Sequence, residues 1–370
     1  MSLLSSSPSL LSSAPGAAWS SGLEAVVAAG TRLSAVDGDA GVLDVAGVGL
    51  EVAVDRGFVA LTADLLARAA SNTVVAAVDG AFAAAYRAAR ARFDDDATFV
   101  DDRALHQPDP MVAVRLLLCT INSDEPADFV AAVHVGLAAW LRAQQHVAGV
   151  SAEVDDNAGA FIMKRGLGDS DVRAGGALDR YLSTVVDHGM NASTFTARVV
   201  ASTRASLSSS LTAAVAALSG PLHGGAPGPV LDLLDGIAGH GSGFIDDELA
   251  AGRRLMGFGH RVYRVRDPRA AVLEAAVDAL LIDAPTVRRE RLQRARDVEK
   301  TVVARLHERH PDRPLPANVE FFTAVLLEAL ALPRSSFSAV FAAGRVGGWC
   351  AHVIEQRRTG KLIRPRSIGV

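Results

Sequence analysis

Apolar residues recur at helical spacing through most of this chain, and strand-like alternation is rare. In RDPRAAVLEAAVDALL the positions Val272, Leu273, Ala276, Val277, Leu280 and Leu281 fall on one helical face. Asp267 is placed to cap that helix and Pro268 to occupy its first position. Arg269 then sits in the first turn, where free N–H groups and the helix dipole favour an anion. ANVEFFTAVLLEAL reads as a second helix start, with Asn318 as cap and Glu320 in the first turn. Residues 126–145 predict one long helix entered through a proline, and 177–218 two buried helices with few charges. Residues 59–92 are Ala-rich with charges to one side. A short alternating stretch over 41–54 predicts a β-hairpin near the N-terminus.

Composition extends this picture to a helical protein of two domains, or of one large domain with an insert. At 370 residues the chain is too long for one minimal core. Hydrophobic residues make up 49% but aromatics only 5%, so Ala, Val and Leu must fill closely packed helices. The formal net charge of -4 offers no broad basic field, so nucleic acid is not an expected partner. Cys119 and Cys350 cannot build a disulfide scaffold or a metal quartet, which fits a reducing, cytoplasmic setting. Residues 1–22, rich in serine and uncharged, read as a disordered tail. The longest uncharged run, 205–231, is interrupted by Ser, Gly, Pro and His223, so no membrane span is expected. Residues 286–313 carry nine Lys/Arg against five Asp/Glu and predict a solvated helix face, with attraction of a polyanion as the alternative.

Three islands combine glycine with histidine: DHGMNASTF with His188, SGPLHGGAPGP with His223, and MGFGHRVYRVRDPR with His260. Any one of these histidines reads first as a helix-end cap or a satisfied core residue. Taken together with a carboxylate at a helix start and several arginines, they suit chemistry on a small polycarboxylate. Arginine grips carboxylates bidentately. A neutral histidine stabilises developing negative charge on a carbonyl oxygen, and a carboxylate within reach removes a proton α to a thioester. His307 and His310 lack a metalloprotease spacing and lie in a charged run, so no metal site is expected.

These islands closely resemble the signature segments of the citrate synthase family, especially the shorter bacterial type found in actinobacteria. The segments that match are DHGMNASTFTARVVAST, SGPLHGGAP, LMGFGHRVYRVRDPRA, NVEFF and AAGRVGGWCAHVIEQRRTGKLIRPRS, almost unbroken from about 177 to 370. Residues 22–50 resemble the family's opening more weakly, and 51–176 share little beyond helical character. The resemblance implies an all-α homodimer with a minor N-terminal hairpin. A large helical domain would span 23–223 and 326–370, and a smaller one 224–325 would close over the substrates. The implied reaction condenses acetyl-CoA with oxaloacetate and water to citrate and CoA, with no tightly bound cofactor.

By motif, the resemblance makes His223, His260 and Glu320 catalytic. His223 would stabilise the thioester enolate, His260 polarise the ketone and Glu320 act as base. His188, Arg269 and Arg345 would hold oxaloacetate, joined by Arg364 from the partner subunit. Arg264 would meet the CoA phosphates, and backbone at Gly257 and Gly259 would cradle the adenine. Three departures stand out, the first of them the poorly matched 51–176 region. The base position commonly reads Asn-Val-Asp but is Asn318-Val319-Glu320 in this chain, and Pro227 follows PLHGGA where asparagine is usual. Propionyl-CoA as acyl donor and a catalytically impaired, ligand-binding paralogue remain the alternatives.

Overall fold

A computed structural model describes residues 26–71, 80–96, 98–100, 102–147, 157–225, 227–259, 263–282 and 286–365. The serine-rich tail expected over 1–22, and His260, lie outside the described residues. Among the described residues every regular element falls within one compact unit, Thr31–Val370; of the separate unit Met1–Gly30, only 26–30 are described, without regular secondary structure.

The unit opens with a small antiparallel sheet, β1 (Ser34–Asp37), β2 (Val42–Val45) and β3 (Val48–Gly49), in the order β1-β2-β3. Ser34 pairs with Val45 and Asp37 with Val42. Asp37 Oδ1 accepts the amides of Asp39 and Ala40, which closes the first turn. Ala46 and Gly47, both at positive φ, form the second. The hairpin therefore starts earlier than its expected span of 41–54. Leu50–Val54 instead forms a short helix, α1, because Leu50, Ala53 and Val54 bury on one side of a turn.

The remaining elements are helices: α2 (Phe58–Ala70), α3 (Ala81–Asp95), α4 (Asp102–Leu105), α5 (Pro110–Thr120), α6 (Pro126–Gln145), α7 (Ala158–Leu167) and α8 (Val172–Thr184). Next come α9 (Ala192–Ser202), α10 (Leu207–Leu218), α11 (Pro227–His240), α12 (Gly243–Ala250), α13 (Pro268–Leu281), α14 (Thr286–Arg309), α15 (Val319–Ala329) and α16 (Phe337–Thr359). The protein is thus mostly helical, as its apolar spacing predicts. α6 matches its predicted span and carries proline at its first position. The stretch 177–218 holds the end of α8 and all of α9 and α10 rather than two helices. The break around Gly189, at φ +56°, and a left-handed Arg204 interrupt it, and local apolar content does not reveal such turns.

α16 runs through the core against α2, α6, α8, α9 and α10. It is long and apolar enough to cross a membrane, but it is mostly enclosed by the other helices, as a core helix is. Its sequence AAGRVGG explains the close packing. A Cβ added at Gly348 would stand 2.1 Å from the Val186 carbonyl oxygen, and one at Gly344 2.5 Å from Val185 Cγ2. Only glycine lets the turn after α8 lie directly on α16. α13 bridges α8 and α15, while α11 and α14 also pack on α15. α14 is largely exposed along its charged face, and Arg296 is paired with Glu274 and Asp278 of α13.

Candidate active site

The turns and helix starts singled out by the sequence converge. His223 lies in the tight turn after α10, which is closed by the Gly224 amide donating to Leu218 O at 3.0 Å. A Cβ on Gly224 would lie 2.3 Å from that same oxygen, so glycine is required at this point. The His223 ring is half-buried, and its Nε2 is 2.9 Å from Ser193 Oγ and 3.4 Å from the Ser193 amide at the start of α9. An amide N–H only donates, so Nε2 accepts and the proton of neutral His223 sits on Nδ1. Burial, reinforced by the Arg345 charge, pulls the His223 pKa down to about 4. The imidazole is therefore neutral at physiological pH and presents an N–H donor. Ser193 is itself fixed by Asn191 Oδ1 at 2.8 Å and by the Trp349 indole N–H at 3.2 Å.

Glu320 occupies the first turn of α15, as predicted. Asn318 Oδ1 caps that helix by accepting the amides of Glu320 (3.0 Å) and Phe321 (3.4 Å). Burial raises the Glu320 carboxyl pKa; the Arg269 charge opposes this shift and Asp267 adds to it. A carboxylate in this state holds a proton more readily than one in water, which is what a general base requires.

The loop carrying Gly257 and Gly259 is fastened to the residues just before α15. Asn318 N donates to Gly257 O (2.9 Å), Gly259 N to Pro316 O (2.9 Å), and Asn318 Nδ2 to Gly259 O (2.7 Å). Both glycines have positive φ, +89° and +72°. Their loop, Tyr263, Arg264, Arg313 and Asn318 help line a cavity of about 210 Å³. Arg264 is exposed at this cavity.

Arg269 follows its predicted geometry: Asp267 caps α13 through the Arg269 amide at 3.0 Å, and Pro268 takes the first helical position. The same carboxylate grips the Arg269 guanidinium through Nε (3.0 Å) and a terminal nitrogen (2.8 Å). Arg269 also lies 5.8 Å from the centroid of the Tyr263 ring. The Tyr263 hydroxyl meets His188 Nε2 at 3.1 Å, and burial pushes its pKa up to about 12, so it stays a neutral phenol.

Arg345 on α16 completes the group. It is buried, and its Nε donates to Val185 O at 2.5 Å. One terminal nitrogen has no hydrogen-bond partner among the described residues. Desolvation lowers its pKa to about 10 against the stabilising charge of Asp187. That N–H is a charged donor open to an acceptor such as a carboxylate.

The structure thus brings His188, His223, Arg269, Glu320, Arg345 and the 257–259 loop into one neighbourhood. Arg364 is exposed beyond α16, and no hydrogen bond or ion pair joins it to this group among the described residues. Sequence reasoning missed Ser193, Tyr263 and Asp187. All three lie inside the recognised segments, but their roles depend on partners 30 to 165 residues away.

A family model described as "Citrate synthase, C-terminal domain" matches residues 22–366. The chain belongs to the citrate synthase family. It is 33% identical over 378 residues to a citrate synthase of Haloferax volcanii, covering 94% of each chain. A putative citrate synthase 2 of Mycobacterium tuberculosis is 48% identical over 213 residues, which is 57% of this chain and 55% of that protein. The alignment thus spans about half the length of these mycobacterial relatives. The crystal structure of citrate synthase from Thermotoga maritima superposes with a TM-score of 0.79 at 27% identity, covering 95% of both chains. A ternary complex of the Thermoplasma acidophilum enzyme with carboxymethyl coenzyme A and oxaloacetate shares the fold, at TM-score 0.80 and 24% identity.

Proposed function

We propose that this protein condenses acetyl-CoA with oxaloacetate and water to give citrate and CoA. The observation that carries this reading is that Glu320 and His223, each in the protonation state the reaction needs, stand beside the interacting Arg269 and Arg345 charges. Glu320 is a carboxylate whose proton affinity is raised by burial, and His223 is a neutral imidazole offering Nδ1–H.

Glu320 takes a proton from the acetyl methyl group, and the electron pair moves onto the thioester oxygen, where the His223 donor stabilises the enolate. The enolate carbon attacks the oxaloacetate ketone, whose oxygen takes a proton from His260. Arg269, Arg345 and His188 hold the oxaloacetate, the orphaned nitrogen of Arg345 supplying an unsatisfied donor for a carboxylate. Arg364 of the partner subunit joins this clamp in a homodimer. Arg264 faces the CoA phosphates, and the backbone at Gly257 and Gly259 cradles the adenine. Hydrolysis of the bound acyl-CoA adduct releases citrate and CoA, and no tightly bound cofactor takes part. Closure of a small domain (224–325) on a large one (23–223 and 326–370) excludes water before enolisation. The reaction is assigned to the cytoplasm and to entry of acetyl units into the tricarboxylic acid cycle.

The acyl donor is the finer question. Propionyl-CoA would use the same residues, and one methyl in an apolar pocket is worth only about 1–3 kcal/mol. The test is CoA-thiol release with oxaloacetate and each acyl-CoA at matched concentration. Preference for acetyl-CoA is the expected outcome, whereas preference for propionyl-CoA makes the enzyme a 2-methylcitrate synthase. If the folded protein releases CoA from neither, the condensation reading falls and a ligand-binding paralogue replaces it.

A further inference from the structure

The turn that carries His188 is held at several points, most of them by groups the reaction does not use. Ser34, on β1 and 154 residues before His188 in sequence, makes two of these holds with one hydroxyl. Its Oγ accepts the Gly189 amide at 2.9 Å and bonds Asp187 Oδ2 at 2.5 Å. These are the residues on either side of His188.

Asp187 is fully buried, and its other oxygen meets His352 Nε2 at 3.0 Å. His352 Nδ1 lies 3.0 Å from Arg198, whose guanidinium only donates, so Nδ1 accepts and Nε2–H points at Asp187. Arg198 is in turn paired with Glu355 at 2.6 Å. The Asp187 carboxyl is held below the usual carboxylate range by His352, Ser34 and the Arg345 charge, against the cost of burial. It is therefore an anion, and the Ser34 hydroxyl is the donor in their bond. Arg345 holds the same turn one step earlier, at Val185 O.

We propose that Ser34 is a positioning residue for oxaloacetate binding: its hydroxyl clamps the backbone and carboxylate on both sides of His188 and so presets that imidazole. The proposal rests on the assignment of His188 to oxaloacetate. It gives the N-terminal hairpin a part in the site, since the turn between β1 and β2 also accepts the Arg264 amide at Gly38 O (2.8 Å).

The experiment is calorimetric titration of oxaloacetate into the full-length wild type, Ser34→Ala and Ser34→Thr, alongside amide hydrogen exchange at Gly189. Loss of a bond to a buried carboxylate is expected to weaken oxaloacetate binding about tenfold or more in Ser34→Ala. Ser34→Thr keeps the hydroxyl and suits a strand, so it restores binding to within about threefold of wild type. Unchanged affinity in Ser34→Ala overturns the proposal. So does equal weakening in both variants, which would mark a purely structural site. If the wild type binds no oxaloacetate, the functional reading fails instead, and Gly189 exchange decides the clamp. Exchange about tenfold faster in Ser34→Ala than in wild type upholds it, and equal rates overturn it.

Discussion

Asn318 and Gly259 are joined side chain to backbone, Asn318 Nδ2 donating to Gly259 O at 2.7 Å, while the other atom of the same amide caps α15. This side chain thus adds to the two backbone bonds that hold the glycine loop against the helix turn carrying Glu320. The Phe258–Ala317 bridge reinforces the connection.

Replacing Asn318 separates its two functions. Asn318→Ala removes the cap and the tie together. It is expected to cost about 1 kcal/mol of stability for the cap. Turnover should drop by up to about 10²-fold, because the base and the loop are then held by the two backbone bonds alone and their register loosens. Asn318→Asp keeps the capping acceptor but sets an anionic oxygen against the Gly259 carbonyl, so the cap is retained while the tie is lost and turnover still falls. Denaturant melts read the first quantity and CoA-thiol release the second. A variant that loses turnover only in proportion to stability would show that the tie has no catalytic consequence.

Glu320 makes a sharper prediction. Glu320→Gln removes the base and is expected to lower turnover by about 10²–10⁴-fold. Glu320→Asp shortens the side chain by one methylene and should cost no more than about 10²-fold, since the group keeps its chemistry and loses placement. The pH profile follows from the direction of the shift. Burial raises the Glu320 pKa, so its ionised form is lost as pH falls through a value above the ordinary carboxylate one. His223 stays neutral until about pH 4 and does not set that limb. The acid limb of kcat/KM is therefore expected above the usual carboxylate range, and a limb at or below pH 4 contradicts the assignment.

Arg345 tests substrate binding without any turnover. Its unsatisfied nitrogen is expected to take an oxaloacetate carboxylate, so oxaloacetate should raise the melting temperature of the wild type. At a ligand concentration near 100 times Kd this stabilisation is about 2.7 kcal/mol. Arg345→Met removes the donor and should abolish the shift. Arg345→Lys should not restore it, because an ammonium lacks the planar fork. An undiminished shift in Arg345→Met would place oxaloacetate elsewhere.

Much of this site was legible in the sequence because its parts are local. Asp267-Pro268-Arg269 and Asn318-Val319-Glu320 are helix starts whose caps act within three residues, and both formed as read. The helical architecture followed from apolar spacing, and the segments around His188 and His223 carried the family. What escaped is non-local. Whether 41–54 is strand or helix depends on which face of Leu50–Val54 meets the core. The division of 177–218 depends on a turn pressed against Gly348, far along the chain. Ser193, Tyr263 and Asp187 read as ordinary polar residues until the fold places His223, His188 and His352 beside them.

The network behind that turn yields the last prediction. Arg198 and Glu355 form a buried pair at 2.6 Å, and Arg198 also binds Gln356 Oε1 at 3.0 Å. Arg198→Met leaves Glu355 without its cation and is expected to destabilise the protein by about 3–5 kcal/mol, measured by denaturant unfolding at neutral pH. The pH dependence has a definite sign. The Glu355 and Asp187 carboxyls both titrate below their ordinary values, held down by Arg198 and by His352 respectively against desolvation. The stability they contribute is full above the unfolded carboxylate value and is lost as pH falls through the lower folded values. Glu355→Gln removes one of these titrations. The variant starts less stable at neutral pH, because Arg198 loses its counter-charge, but its stability declines less steeply on acidification than that of the wild type. Parallel acid limbs for the two proteins would mean that Glu355 is ionised equally readily folded and unfolded, and that the pair adds no pH-dependent stability.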